Sequence, residues 1–599
     1  MLYQPNRRPL AEITADLARA ALGGIPADTV IKNGRLVNVH TAEILTGRDI
    51  AIKHGRVVLI GSATHATGPE TEVIDAAGCY LVPGFLDGHI HVESSMVTVT
   101  QYARAVVPHG TTAIFMDPHE IANVLGTEGI RLMMKEGENL PLKVFTTMPS
   151  CVPAAPCFED AGASIGPAEV AEAMTWPGMT GLGEMMNFPG VLAGDPLVHG
   201  ELKAALDAGK VVTGHYAVPD IGAGLNAYVA AGISCCHEST RPEDALARMR
   251  LGMYAQIREG SAWHDLHATI KCITESRVDS RLAMLVSDDT HPETLLTLGH
   301  MNHVVHRAIQ EGVDPLRAVQ MATINTAQYF GVARNLGSIA PGRCADILFV
   351  PDLAQMKVDR VMVDGVVVAE AGRMLPELPP VNYPEAARHS VRLRAPVQAG
   401  DFVIAAPSGV KNAAVRVIEV IEARVGTLHR QLDLPVKNGE LHASRERDVA
   451  KAACIERHGG PGNTGLGLVR GFGLQSGAVA STVAHDSHNL LVLGMNDADM
   501  ALAANTLAGC GGGMTAVKDG RVLALLPLPI AGLMSDRPVE EVQEKVSALD
   551  RAWKELGCTL VSPFMTMALL SLPVLPELRL TNRGLVDTVN FRFVDLCVS

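Results

Sequence analysis

Two histidines one residue apart, His89 and His91, are the strongest chemical signal in this sequence of 599 residues. Alternate residues of a strand share a face, so both imidazoles can reach one metal ion from a single strand. Four further ionisable residues stand at the ends of apolar runs: Glu184, His215, His237 and Asp288. Taken singly, each has a plain structural reading as a core histidine or a loop charge. Taken together with His89 and His91 they supply four imidazoles and two carboxylates. One ion with an open position needs only three protein ligands. Six candidates fit two divalent ions, with a carboxylate and a hydroxide bridging them. Such a pair lowers the pKa of bound water toward neutrality and polarises an electrophile, which is hydrolytic chemistry.

Elements must bring these residues to one place. Between about residues 80 and 334, eight short β-like runs alternate with helical stretches, and each run ends in a polar or ionisable residue. In order they are YLVPGFLDGHIH, TTAIFMDPHE, LKVFTTMPS, MTGLGEMM, VVTGHY, GISCCHE, MYAQIREGS and LAMLVSDD. The spacing is that of βα units in a (β/α)₈ barrel, whose C-terminal strand ends form the active face. Residues 29–79 and 335–384 carry short alternating stretches with turn glycines, and we expect them to form one small β domain flanking the barrel. Residues 1–28 read as an N-terminal helical extension, with helical spacing over 11–22. Residues 385–599 read as a separate α/β or α+β domain, with strands on either side of the Asp519–Gly520 turn. An apolar stripe of Val539, Val542, Val546, Leu549, Trp553 and Leu556 predicts a helix there.

Composition narrows the partners. Hydrophobic residues make up 47% and charged residues 19%, a well-buried globular balance. The formal charge of −14 argues against non-specific binding to nucleic acid or to an anionic membrane and favours a small-molecule substrate. Eleven scattered cysteines contain no CxxC pair, so neither a disulfide framework nor a structural zinc knuckle is expected and a cytoplasmic location fits. The first residues lack the apolar core of a signal peptide, and no run approaches the roughly 20 apolar residues of a membrane span.

The motifs then carry a resemblance. LVPGFLDGHIHVESS, His215, His237, the VSDD strand end and GSIAPGRCADI resemble the amidohydrolase superfamily. GHIHVESS, MDPHEIANV, GLGEMMNFPGV, IREGSA, VSDDTHP, VAHDSHNLLVLG and LPLPIAGLMS, spread over residues 80–535, are similar to its bacterial adenine deaminase family. The resemblance implies hydrolytic deamination of adenine to hypoxanthine and ammonia, in purine salvage or catabolism. It implies that His89 and His91 bind one metal with Asp288, that His215 and His237 bind the second, and that Glu184 bridges them. Mn²⁺ or Fe²⁺ is implied ahead of Zn²⁺, and a homodimer or larger homo-oligomer is expected.

In the expected reaction, hydroxide attacks C6 while N1 gains a proton and the amine leaves protonated. Asp288 is the expected proton shuttle. Glu120 and Asp289 are candidate acids for N1, with Glu238 and Glu259 behind them. Asp117-Pro118-His119-Glu120 reads equally as a helix cap or as a functional cluster, and His119 is a candidate base contact. His485 and His488, in His485-Asp486-Ser487-His488-Asn489, are candidates for a loop covering the barrel mouth, against the plainer reading of a polar strand-end loop. Two other functions compete: a hydrolase opening cyclic amides, against which Glu184 and the third domain count, and a non-catalytic scaffold barrel, against which the filled ligand positions count. The H-x-E/P-C-x-x-C signature of zinc nucleobase deaminases is absent, since no second cysteine follows Cys157 at the required spacing.

Overall fold

The computed structural model describes every residue except Met1, Asn6, Ala262, Val381, Ala423 and Ser599. All eight runs contain strands: β1 (Phe85–His91), β2 (Thr111–Met116), β3 (Lys143–Met148), β4 (Met179–Met185), β5 (Val211–Gly214), β6 (Cys235–Cys236), β7 (Tyr254–Arg258) and β8 (Ala283–Val286). β1 to β5 form one parallel arc in sequence order and β6 to β8 a second. Ser234 N–H donates to the Val212 carbonyl at 3.0 Å, joining the arcs on one side. On the other, Asp288 and Asp289, just beyond β8, pair in parallel with Ile90 and His91 of β1. The result is the expected barrel, curled in chain order with helices outside. Asp314 caps the helix Pro315–Met321, its carboxylate accepting from the Leu316 and Arg317 N–H groups, with proline at the first helical position.

The run starting at Tyr80 is divided by Gly84. Tyr80–Pro83 belongs to a flanking seven-stranded sheet, pairing with Ile347–Val350 and with Arg35–Asn38, and the barrel strand starts at Phe85. This sheet therefore draws strands from both sides of the barrel sequence. A four-stranded sheet lies beside it, and the helix Leu10–Ala21 packs Ile13, Leu17 and Ala20 against Val30, Ala51 and Val58.

Beyond residue 400 a ten-stranded sheet carries the helices Asp497–Cys510 and Val539–Glu555. Val99 and Val106 of the barrel's first helix share one continuous buried cluster with Leu528, Ile530, Val539 and Leu549 of this domain. Burying such side chains at about 25 cal/mol per Å² fixes the domain onto the barrel. The loop after β1 is stitched to it as well: Ser535 N–H donates to the Met96 carbonyl at 2.8 Å and Thr98 N–H to the Ser535 carbonyl at 3.0 Å. Among the described residues, no helix is long and apolar enough to cross a membrane.

Candidate functional site

The six predicted residues meet at the C-terminal end of the barrel. β1 delivers His89 and His91, which are 3% and 4% exposed. The His91 Nδ1–H donates to the Asp117 carbonyl at 2.9 Å, which leaves the Nε2 lone pair facing inward, 3.4 Å from Asp288 Oδ1 and 3.5 Å from Glu184 Oε1. His89 Nε2 lies 3.6 Å from Asp288 Oδ1 and has no hydrogen-bond partner among the described residues. Glu184 Oε2 stands 2.7 Å from His215 Nδ1 and 3.0 Å from His237 Nε2. The ligand atoms of His89, His91 and Asp288 lie within 4.8 Å of one another, as do those of His89, Glu184 and His237. An orphaned imidazole nitrogen aimed at converging oxygens, in a set without thiolate, fits divalent cations.

The backbone holds these groups in place by close approaches. Asp288 has φ +61°, a left-handed conformation that aspartate tolerates, and it turns the chain at the end of β8. Asp117 Oδ2 accepts the Glu184 N–H at 2.7 Å. A Cβ on Gly183 would meet that same carboxylate oxygen at 2.5 Å, so glycine is required beside Glu184. Below these residues, Asp87 Oδ1 accepts the backbone N–H groups of His89 and Ser287, each at 3.2 Å, and ties β1 to β8. His300 completes this buried network, with Nε2 2.7 Å from the Tyr102 hydroxyl and Nδ1 2.8 Å from Thr111 Oγ1.

Electrostatics at this end favour cations. Burial pushes the Glu184 carboxyl up, but His215 and His237 outweigh it and hold the group well below the usual range. Burial likewise opposes charge on Asp288, yet the neighbouring His91 and the Arg258 guanidinium hold it well below its ordinary range. His89 is driven well below its ordinary value by burial and by the neighbouring His237 and His91, so it is neutral and able to ligate.

Arg258, which sequence reasoning missed, is central here. Its Nη1 donates to Asp288 Oδ2 at 2.9 Å and to Glu238, and its Nε donates to Asp265 at 2.7 Å. Glu238 reaches the cluster, with Oε1 3.6 Å from His237 Nε2. Glu259 does not. Its carboxylate points to His264 at 3.3 Å and Arg307 at 3.6 Å, outside the barrel. Strand alternation explains the difference. Gln256 and Arg258 face the interior, with the Gln256 amide on the Gly88 carbonyl, whereas Ala255 and Ile257 join the outer core.

The Asp117–Glu120 segment is no simple cap, since the helix His119–Gly137 has no side-chain cap hydrogen bond. His119 Nδ1 lies 3.3 Å from Glu184 Oε1. Glu120 turns toward the C-terminal domain, where His485 Nδ1 meets its Oε1 at 2.8 Å and His488 Nε2 contacts its Oε2. Burial raises the Glu120 carboxyl, but His485, His488 and His119 together hold it well below its ordinary range. The same pairing raises His485 well above the usual imidazole value despite burial. Asp289 accepts a hydrogen bond from Ser94 Oγ. Buried Arg457 braces the 485–489 loop, donating to the carbonyls of His488 and Ala531.

Comparison with known proteins adds to this geometry. A family model described as "Amidohydrolase family" matches residues 80–368, and one described as "Adenine deaminase C-terminal domain" matches residues 424–592. A protein of Moorella thermoacetica described as adenine deaminase is 70% identical over 592 residues, covering 99% of each chain. Proteins with the same description from Clostridium botulinum (strain Langeland) and Mesorhizobium japonicum are 57% identical over 598 residues and 50% identical over 593. The first of these two covers 100% of each chain, and the second covers 99% of this chain and 98% of its own. A solved β-aspartyl dipeptidase from Fervidobacterium islandicum AW-1 aligns with TM-score 0.45 at 15% identity, over 59% of this chain and 98% of its own.

Proposed function

Since the chain belongs to the adenine deaminase family of the amidohydrolases, we propose that it converts adenine and water to hypoxanthine and ammonia. The observation that carries this is the convergence of two imidazole pairs and two carboxylates at the barrel mouth of a chain similar to adenine deaminases from end to end. The amidohydrolase family implies a divalent metal. We assign two ions, Mn²⁺ or Fe²⁺ ahead of Zn²⁺: His89 and His91 with Asp288 would hold one, His215 and His237 the other, and Glu184 would lie between them. Bound there, they supply a water that deprotonates near neutral pH and a Lewis acid.

The chain's own residues manage the protons. Asp288 has one oxygen tied to Arg258 and the other toward His89 and His91. It takes the proton of the attacking water and delivers it to the amino nitrogen as the C6–N6 bond breaks. Arg258 keeps that carboxylate in one orientation. N1 gains its proton as oxygen adds to C6. His485 Nδ1 stands 2.8 Å from Glu120 Oε1, and this pair is our candidate donor to N1, with Asp289, which is bonded to Ser94, as the other. His119 and His488 orient Glu120. Glu238 orients Arg258, whereas Glu259 is too far around the strand to take part.

The same reading covers a cytoplasmic role in purine salvage or catabolism and a homodimer or larger assembly. All eleven cysteines are free thiols, which suits a reducing compartment, and light scattering tests the assembly. For the activity, purified protein is stripped of metal, reloaded with Mn²⁺, Fe²⁺ or Zn²⁺, and given adenine. Hypoxanthine and ammonia in equal amounts are expected. Absence of both in every metal form would refute the assignment.

A further inference from the structure

Six cysteines are buried, and five of them, Cys235, Cys236, Cys272, Cys454 and Cys558, pack into apolar clusters. Cys151 does not. It lies in the loop after β3, is 4% exposed, and joins none of the apolar clusters. Its surroundings are polar instead: one ligand atom each of Cys151, His119 and Asp486 lie within 4.8 Å of one another. His119 opens the helix after β2, and Asp486 belongs to the 485–489 loop of the C-terminal domain; both are buried. A thiol, an imidazole and a carboxylate thus reach one dry point from three segments far apart in sequence.

Two of the three hold unused bonding capacity. His119 Nδ1 and Asp486 Oδ2 are buried and have no hydrogen-bond partner among the described residues. Nor does any Lys or Arg among them pair with Asp486, whose ionic neighbour is His485, 3.5 Å from Oδ1 and already engaged with Glu120 at 2.8 Å. Orphaned acceptors are costly in a dry site unless a cation or donor answers them. Tetrahedral Zn²⁺, with bonds of about 2.0–2.3 Å, sets its ligand atoms about 3.5 Å apart, so roughly 1 Å of closure suffices. The donor set also selects the ion. Thiolate with imidazole suits Zn²⁺ or Cd²⁺, whereas Mn²⁺ prefers oxygen ligands. We propose that His119, Cys151 and Asp486 form a third cation site, for a thiophilic divalent ion such as Zn²⁺, which clamps the 485–489 loop to the ends of β2 and β3. On binding, the Cys151 S–H bond breaks, its proton passes to solvent, and the sulfur lone pair bonds the metal. The site goes beyond the deaminase reading and needs no base.

The probe is Cd²⁺, added to the Mn²⁺-reconstituted protein with Mn²⁺ in excess. A cadmium–thiolate bond produces an ultraviolet charge-transfer band, and bonds to nitrogen or oxygen do not. Displacement of Mn²⁺ from the barrel mouth therefore gives no band, since none of the six residues there is a cysteine. Wild-type protein is expected to show the band, saturating at one thiolate-bound ion per chain. Cys151→Ser should lose it while keeping its Tm and the ten other cysteines. Asp486→Asn, which leaves every cysteine in place, should weaken the thiolate-bound ion at least about tenfold, the scale seen when a metal site loses even a supporting group. No band in the wild type, a band undiminished in Cys151→Ser, or unchanged affinity in Asp486→Asn would overturn the assignment. Adenine turnover plays no part in this readout, so the deaminase reading stands or falls separately.

Discussion

The two ends of the same barrel bury charge in opposite ways. At the N-terminal end, Lys143 at the start of β3 places its Nζ 2.8 Å from both oxygens of Asp346 and 2.9 Å from Asp364 Oδ1. Arg7 takes the other Asp364 oxygen at 2.9 Å. Two cations answer two anions, and burial, which alone would lower the Lys143 pKa, is outweighed by the two aspartates. Among the described residues at the C-terminal end, Glu184 and Asp288 face imidazoles with only Arg258 as a fixed cation, and His89 Nε2 and His237 Nδ1 lack partners. Buried charge therefore does not mark the functional end by itself. Incomplete satisfaction does, because a saturated network has no capacity left for a ligand, a point consistent with barrel bottoms serving stability and barrel tops catalysis.

The largest expected effect lies at the mouth. Asp288→Asn should lower kcat by about 10³-fold or more while the protein keeps its Tm. Steady-state kinetics beside calorimetry checks this, and near-normal turnover would remove Asp288 from the proton path. Lys143→Met should do the reverse. Stranding the buried Asp346, while Asp364 keeps only Arg7, costs about 3–5 kcal/mol, read as a lower denaturant midpoint, with unchanged turnover per folded molecule. Loss of turnover without loss of stability in Lys143→Met would erase the contrast between the two ends.

Arg258→Met tests the one fixed cation at the mouth. Removing the group that orients Asp288 should cost about 10- to 100-fold in activity or metal affinity, measured by kinetics and by metal analysis of the dialysed protein. The smallest effect concerns pH. His485 is raised above its ordinary 6.5, so its stabilisation is complete below that value and is lost as pH rises through the higher folded value. Glu120 is depressed below its ordinary 4.5, so its share is complete above that value and is lost as pH falls through the lower folded value. The stability difference between wild type and His485→Ala should thus be greatest between pH 4.5 and 6.5 and shrink on either side. A pH-independent difference would show that the seam is held by packing alone.

Much of this arrangement was legible in the sequence, because strand ends in a barrel follow chain order. Once eight runs are counted, an ionisable residue at the end of the fourth, fifth, sixth or eighth run has only one place to go. Period-2 alternation could also have identified Arg258, since it shares the inward parity of Gln256; choosing Glu259 instead moved the charge to the wrong face. Other features depend on three-dimensional approach. Asp117 bonding the Glu184 N–H joins two strand ends through a space left by Gly183. Glu120 meeting His485 and His488 joins residues more than 360 positions apart across a domain seam, and no local periodicity encodes such a contact. The division of the run at Gly84 was hidden because a flanking strand and a barrel strand are equally apolar there.

The most direct test of the claim that the unsatisfied end is a two-ion hydrolytic site is a titration. Metal-free protein receives increasing Mn²⁺, and bound metal per chain is determined together with the rate of hypoxanthine formation from adenine. The account predicts that activity rises to a plateau at two ions per chain and is abolished when Glu184 is replaced by Gln. Full activity in metal-free protein, or no hypoxanthine with two ions bound, would contradict it.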